Sequence, residues 1–232
     1  MESSQTPQIR IIKPAEKPAQ SLGVFASSFN PVTNAHLKLI QTARSQFELD
    51  AVLALAGTSN ADKTHYEASL TDRIEMLSLA LESWPEASIG LTSTGFFVDM
   101  IGALQSVYPP NTLYSFIVGF DTFIRILDPD NRYVSRYDRK FRDSLEALGY
   151  LLERSRLIVV ERGPHGESGF SQIVAEHGLR RNASSPSMAF ADRIAFMSFA
   201  RDFSERSATE VRENVESGRS IEGLVPRSVA DY

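Results

Sequence analysis

The amino-acid sequence predicts an α/β protein, a single domain built on a parallel sheet with helices on both faces. Short apolar runs alternate along the chain with segments of helical period, which is the pattern of strands joined by helices. No shift in composition divides the 232 residues into separate parts. With 42% hydrophobic and 23% charged residues, the chain has enough apolar material for a sizeable core.

The elements follow in order. Residues 1–20, "MESSQTPQIRIIKPAEKPAQ", hold three prolines and read as a flexible tail ahead of a domain spanning 21–232. Within that tail Ile9, Ile11 and Ile12 form a short pairing segment. The first buried strand is "LGVFA" (22–26), a helical period runs over 35–47, and "AVLALA" (51–56) is the second strand. A helix over 70–84 carries Leu70, Ile74, Leu77, Leu81 and Trp84 in one stripe, which marks Trp84 as a core residue. Ser69 and Asp72 form a capping box at its start. "ASIGL" (87–91), a helix over 97–107 and the strand "LYSFIVG" (113–119) come next. A long helix over 138–154 lines up Phe141, Leu145, Leu148 and Leu152, and "RLIVVERG" (156–163) is the following buried strand. The polar stretch "GPHGESG" leads to a short helix over 170–177, and a Ser/Pro loop at 182–187 leads to a last strand, "IAFMSFA".

Composition narrows the function. A formal charge of −5 provides no overall field for polyanions, which argues against nucleic acid and anionic membranes as partners and favours small molecules. No apolar run approaches the roughly 20 residues of a membrane span, and the N-terminus lacks the apolar stretch of a secretory signal. The absence of cysteine excludes disulfides and thiolate chemistry. A cytoplasmic or nuclear protein is expected, with monomer and homo-oligomer both left open.

One turn concentrates chemistry. In "GVFASSFNPVTNAHLKLI" (23–40) a strand ends near Ala26 and a helix begins near Asn34, so the intervening backbone N–H groups have no intrahelical partner and can bind phosphate oxygens. Thr33 and His36, three residues apart on the first helical turn, share a face and set a hydroxyl and an imidazole beside the same anion. Taken alone, Thr33 or Asn34 is equally well a helix cap. A second helix start lies near the far end of the chain, in "RSATEVRENVESGRSIEGLVPRSVADY" (206–232), where Ser207 and Glu210 form a capping box and Gly218 ends the helix.

Together these segments resemble the nucleotidyltransferase superfamily, and within it the nicotinamide mononucleotide adenylyltransferases. Ser28, Phe29, Asn30, Pro31, Thr33 and His36 match the family's strand-turn-helix signature in the version with threonine for the first histidine. Ser27 stands where glycine is usual, and the wording is similar to a fungal, adenylyltransferase-like branch. Ser207, Thr209 and Arg212 match the C-terminal signature, in which Ala208 replaces a serine. Gly119 and Asp121 in "IVGFDTF" resemble the family's G-x-D, whose aspartate contacts the nucleotide sugar. Phe96 and Phe97 in "GFFVDMI" stand where the family holds the pyridine ring. Arg162 matches an arginine near the nucleotide. The stretch "GTSNADKT" (57–64) has P-loop spacing, but Asp62 replaces the second glycine and would face phosphates with a carboxylate; Lys63 corresponds instead to a loop lysine of the nucleotidyltransferases.

The resemblance implies a Rossmann-like fold and transfer of AMP from ATP to nicotinamide mononucleotide or nicotinic acid mononucleotide. His36, Thr33 and Arg212 would be catalytic. Ser27, Ser28, Phe29, Lys63, Gly119, Asp121, Arg162, Ser207 and Thr209 would bind nucleotide, and Phe96 and Phe97 the acceptor. Mg2+ would bridge the ATP phosphates, with no metal cage in the protein. The same residues also suit transfer to another phosphomonoester, or an ATP-binding regulator without transferase activity.

Overall fold

The computed structural model describes residues 6–58, 68–161, 166–177, 192–199 and 207–232. Among these residues one sheet gathers β1 (Ile9–Lys13), β2 (Ser21–Ser27), β3 (Ala51–Gly57), β4 (Ala87–Thr92), β5 (Leu113–Gly119), β6 (Ser155–Val160) and β7 (Ile194–Met197). The order across the sheet is β1-β4-β3-β2-β5-β6-β7. Every pair from β4 to β7 is parallel, and β1 closes one edge antiparallel to β4. The chain thus winds outward from β2 through β3 and β4, then returns to place β5, β6 and β7 on the other side. Ligands of such doubly wound sheets bind where the winding reverses, outside the carboxyl ends of the central strands. Here that crevice lies past Ser27 and Gly119, each three residues beyond the last register pair of the two strands, Val24 with Phe116.

The helices are α1 (Asn34–Gln46), α2 (Leu70–Ala80), α3 (Phe97–Leu104), α4 (Phe120–Leu127), α5 (Ser144–Arg154), α6 (Glu167–Glu176), α7 (Ala208–Glu216) and α8 (Arg227–Ala230). Strand alternation divides the core between two faces. Leu53 and Leu55 of β3 point to one side with α3, α4 and α5, while Val52, Ala54 and Ala56 point to the other with α1, α2 and α7. Both faces of the central strands are buried, so β3 reads as a continuous apolar run.

The pairing segment expected within the tail is the edge strand β1, in which Ile9 and Ile11 face inward while Arg10 and Ile12 face outward. Sequence and structure part at three places. The helix expected over 70–84 ends at Ala80, and Trp84 belongs to the turn that follows, still packed on the core. The helix expected over 138–154 begins at Ser144, capped by Asp143, whose carboxylate accepts the Glu146 N–H at 2.9 Å. Finally, α4 was not foreseen; it starts directly after Gly119 and buries Phe120, Phe123 and Leu127. The Ser/Pro loop at 182–187 lies outside the described residues.

Candidate active site

The turn after β2 is built by its own residues. Thr33 is the N-cap of α1: its hydroxyl accepts the His36 N–H at 3.3 Å, and His36 Nδ1 accepts the Thr33 N–H at 3.0 Å. This is a capping box with imidazole in the place usually held by Glu or Gln. Because Nδ1 acts as acceptor, the ring proton resides on Nε2, which makes that nitrogen a donor. Phe25 and Phe29 flank the ring, with centroids 5.8 and 5.4 Å away. Phe29 has φ +46, a left-handed conformation unfavourable by about 1–2 kcal/mol; full burial of its ring against Phe25 and His36 offsets that cost.

The C-terminal segment closes on the same turn. Arg212, on the second turn of α7, donates from Nη1 to the Asn30 carbonyl at 2.7 Å across 182 residues of sequence, and from Nη2 to Thr209 Oγ1 at 3.2 Å. Ser207 caps α7 by accepting the Glu210 N–H, and Gly218, at φ +65, supplies the left-handed residue just beyond its end. Asn34 Nδ2 donates to the carbonyls of Gly223 and Val225, both at 3.0 Å, and the Asn34 N–H donates to Leu224. From the other side Arg73 of α2, only 2% exposed, donates to Ser28 O at 2.8 Å and Gly57 O at 3.1 Å, tying the ends of β2 and β3 together.

Beside the turn lies a cleft open to solvent. Ser27, Ser28 and Gly57 line it at the strand ends, Phe96 and Phe97 at the start of α3, Thr122 and Arg125 on α4, and Tyr133 and Tyr137 beyond α4. Phe96 packs edge-on against Tyr137 at 5.1 Å, and Phe97 stands perpendicular to Phe116 at 5.2 Å. Such a box of rings suits a flat heterocycle.

A buried carboxylate stands behind this wall. Asp99 of α3 is 4% exposed, and burial pushes its pKa up to about 6 against the opposing pull of the Asp138 N–H it accepts. Asp138, Arg139, Tyr137 and Thr94 are its polar neighbours. A carboxyl whose pKa rises on folding contributes stability at low pH that is lost as pH climbs through the folded value. Replacement of Asp99 by Asn removes this titration. The unfolding free energies of the two proteins should therefore converge below about pH 4 and separate as pH rises past 6, with Asp99→Asn the more stable by about 3 kcal/mol above it. Urea unfolding across that range checks the sign, and a gap that narrowed with rising pH would contradict it.

The structure thus brings Thr33, His36, Asn30, Thr209 and Arg212 to one turn, and Ser27, Ser28, Phe96 and Phe97 to one cleft. Thr33 is 2% exposed, so its hydroxyl serves the cap and the ring rather than an open anion site. Gly119 is the N-cap of α4 and Asp121 lies exposed in its first turn, from which Thr122 and Arg125 reach the cleft. Lys63 and Arg162 lie outside the described residues, as do residues 59–64 of the P-loop-like stretch. Asn34, Arg73, Asp99, Arg125, Tyr133 and Tyr137 were not singled out from sequence for this site.

A reversal of winding, a helix N-terminus with a histidine donor and an aromatic cleft define a nucleotide-handling α/β protein. Residues 24–214 match the family described as cytidylyltransferase-like, and the chain belongs to this family of nucleotidyltransferases; it is an enzyme. It is 25% identical over 220 residues to a probable nicotinate-nucleotide adenylyltransferase of Geotalea uraniireducens, covering 91% of this chain and 94% of that protein. A protein of the same description from Cellvibrio japonicus is 29% identical over 230 residues, covering 91% and 95%. Among solved structures, Plasmodium falciparum nicotinic acid mononucleotide adenylyltransferase complexed with NaAD superposes with TM-score 0.60 at 15% identity over 91% of this chain and 93% of that one, which is a likeness of fold.

Among the described residues no helix is long and apolar enough to cross a membrane.

Proposed function

We propose that this enzyme transfers AMP from ATP to nicotinate mononucleotide, giving nicotinate adenine dinucleotide and pyrophosphate. The observation that carries this reading is the Arg212–Asn30 contact, which joins the two distant signature segments around one helix N-terminus. The acceptor 5′-phosphate oxygen attacks the ATP α-phosphorus, and the bond from that phosphorus to the bridging oxygen of pyrophosphate breaks. The attacking phosphate is largely ionised at neutral pH, so positioning and charge stabilisation suffice without a strong general base. His36 donates through Nε2 to the α-phosphate, and Thr33 acts through His36 by fixing its tautomer and orientation. Ser207, Thr209, Arg212 and Lys63 hold the leaving pyrophosphate. Ser27, Ser28 and Phe29 shape the turn beneath the nucleotide, whose ribose and base lie toward Gly119 and Asp121; Arg162 is the further nucleotide contact that the family resemblance implies. Phe96 and Phe97, with Tyr133 and Tyr137, take the pyridine ring.

Mg2+ bound to ATP would offset phosphate charge. Among the described residues no three His, Asp or Glu side chains gather as a metal cage, and phosphate oxygens are suitable hard ligands for this ion. Purified protein incubated with ATP, Mg2+ and nicotinate mononucleotide should release pyrophosphate and the dinucleotide. ATP binding without pyrophosphate release from any mononucleotide would favour a regulator instead.

Arg125 supports the acid over the amide as acceptor, since it is the one charged residue lining the cleft among the described residues. A hydrogen bond from a cation to a carboxylate contributes about 1.5–3 kcal/mol. Arg125→Gln should therefore lower kcat/KM for nicotinate mononucleotide roughly tenfold or more while leaving nicotinamide mononucleotide nearly unaffected. Equal losses on both acceptors would remove Arg125 from selection.

A further inference from the structure

Residues 128–143 connect α4 to α5 without regular structure beyond one turn of 3-10 helix at Val134–Arg136, yet they supply two of the rings that line the cleft. Their path is held at three places. At the start, the Asp128 carboxylate accepts the N–H groups of Arg132 and Tyr133 at 2.8 and 2.9 Å. At the end, Asn131 Oδ1 accepts the Ser144 N–H at 2.7 Å, and Arg139 lies over the Tyr150 ring and against the backbone of α3 at Gly102. In the middle, Asp99 accepts the N–H of Asp138. Asp99 itself is set by the turn after β4: Thr94 Oγ1 accepts the Phe96 N–H at 3.1 Å and faces Asp99 Oδ2 at 3.5 Å.

We propose that Asp99 is a positioning residue for the acceptor site: by accepting the Asp138 N–H it fixes residues 133–141 as the wall of the cleft and holds Tyr133 and Tyr137 in register with Phe96. The carboxylate lines no part of the cleft, so it acts through the backbone it binds. Phe96 and Asp99 belong to the same first turn of α3, and Phe96 meets both tyrosine rings, at 6.0 and 5.1 Å. One hydrogen bond therefore couples the two sides of the aromatic box. Asn at position 99 keeps an oxygen that can accept the Asp138 N–H, whereas Ala does not.

The test has a kinetic arm, which rests on the adenylyl-transfer reading, and an exchange arm, which does not. Asp99→Ala should raise KM for nicotinate mononucleotide by about tenfold, with kcat and the KM for ATP changed less than about threefold, because the lost group orders the acceptor side only. In the same variant the amides of 133–141 should exchange hydrogen faster while those of β2, β3 and α1 keep their protection. Asp99→Asn should restore both readouts toward wild type. Unchanged exchange over 133–141 in Asp99→Ala, or a loss shared equally by both substrates, would overturn the assignment. Should Asp99→Ala not fold, Asp99→Asn decides instead: a raised acceptor KM or faster exchange over 133–141 in that folded variant overturns the assignment, and wild-type values support it. A wild-type protein that makes no dinucleotide would sink the proposed reaction, while the exchange result would still decide the role of Asp99.

Discussion

His36→Gln should fold like the wild type and lose about 10²–10³ in kcat, the typical cost of one donor aimed at developing charge. Glutamine is the informative replacement because position 36 serves two tasks at once. As the third residue of α1 it accepts the Thr33 N–H and completes the capping box, a role that glutamine commonly fills. As an imidazole held in its Nε2–H form it also keeps a second ring donor beside Phe25 and Phe29, and glutamine does not reproduce the position of that donor. His36→Ala removes both, so it should lose a similar factor in kcat and in addition about 1 kcal/mol of stability through the broken cap. Stopped-time assays of pyrophosphate release and urea unfolding on both variants separate the tasks. If His36→Gln retained wild-type turnover, the histidine would be a cap and nothing more.

Much of this site is legible in sequence because its chemistry coincides with helix starts. Thr33–His36, Ser69–Asp72 and Ser207–Glu210 are local patterns, and each does cap a helix. The alternation that predicts a doubly wound sheet is equally local, since each strand and helix carries its own period. The errors arise where periods mislead. Tyr133, Tyr137 and Phe141 recur every fourth residue and blend into the apolar stripe of α5, yet they pack in the irregular segment before it, ring against ring. The eight residues of α4 begin so close to Gly119 that they read as the end of a strand motif. The edge strand β1 is legible only as a short pairing segment, because three isoleucines are all that mark it within a proline-bearing tail.

Less legible are the residues whose partners are backbone atoms far away in sequence. Nothing near Asn34 announces that its amide will hold the carbonyls of Gly223 and Val225, because a carbonyl carries no residue-type signal. Asp99 looks like an ordinary acidic residue in the first turn of a helix, and only the fold shows it buried beside Thr94, Asp138 and Arg139. The family-like segments sit at helix starts that the sequence marks, whereas the aromatic wall of the cleft depends on a stretch whose identity is set by tertiary contacts.

Arg73 is the extreme case, and its replacement should have the largest effect on stability. Read along α2, it falls between Leu70 and Ile74 as one more charged residue of an amphipathic helix, but in the fold it is 2% exposed. Its guanidinium donates to Ser28 O and Gly57 O, the carbonyls that follow the body of β2 and β3 at the carboxyl edge of the sheet. Arg73→Met keeps much of the side-chain volume and removes both donors, leaving two carbonyls without the bonds they have in the wild type. Each stranded acceptor costs about 1–3 kcal/mol, so the variant should be about 3–5 kcal/mol less stable, a large share of a typical folding free energy. Arg73→Lys, with one compact ammonium for a planar fork, should recover part of that loss. Because Ser28 and Gly57 both line the cleft, turnover should fall in step with stability and remain low under conditions where Arg73→Met is still fully folded. Urea unfolding followed by activity at low denaturant checks both halves. An unfolding midpoint unchanged from wild type would mean that the turns after β2 and β3 hold their shape without the arginine between them.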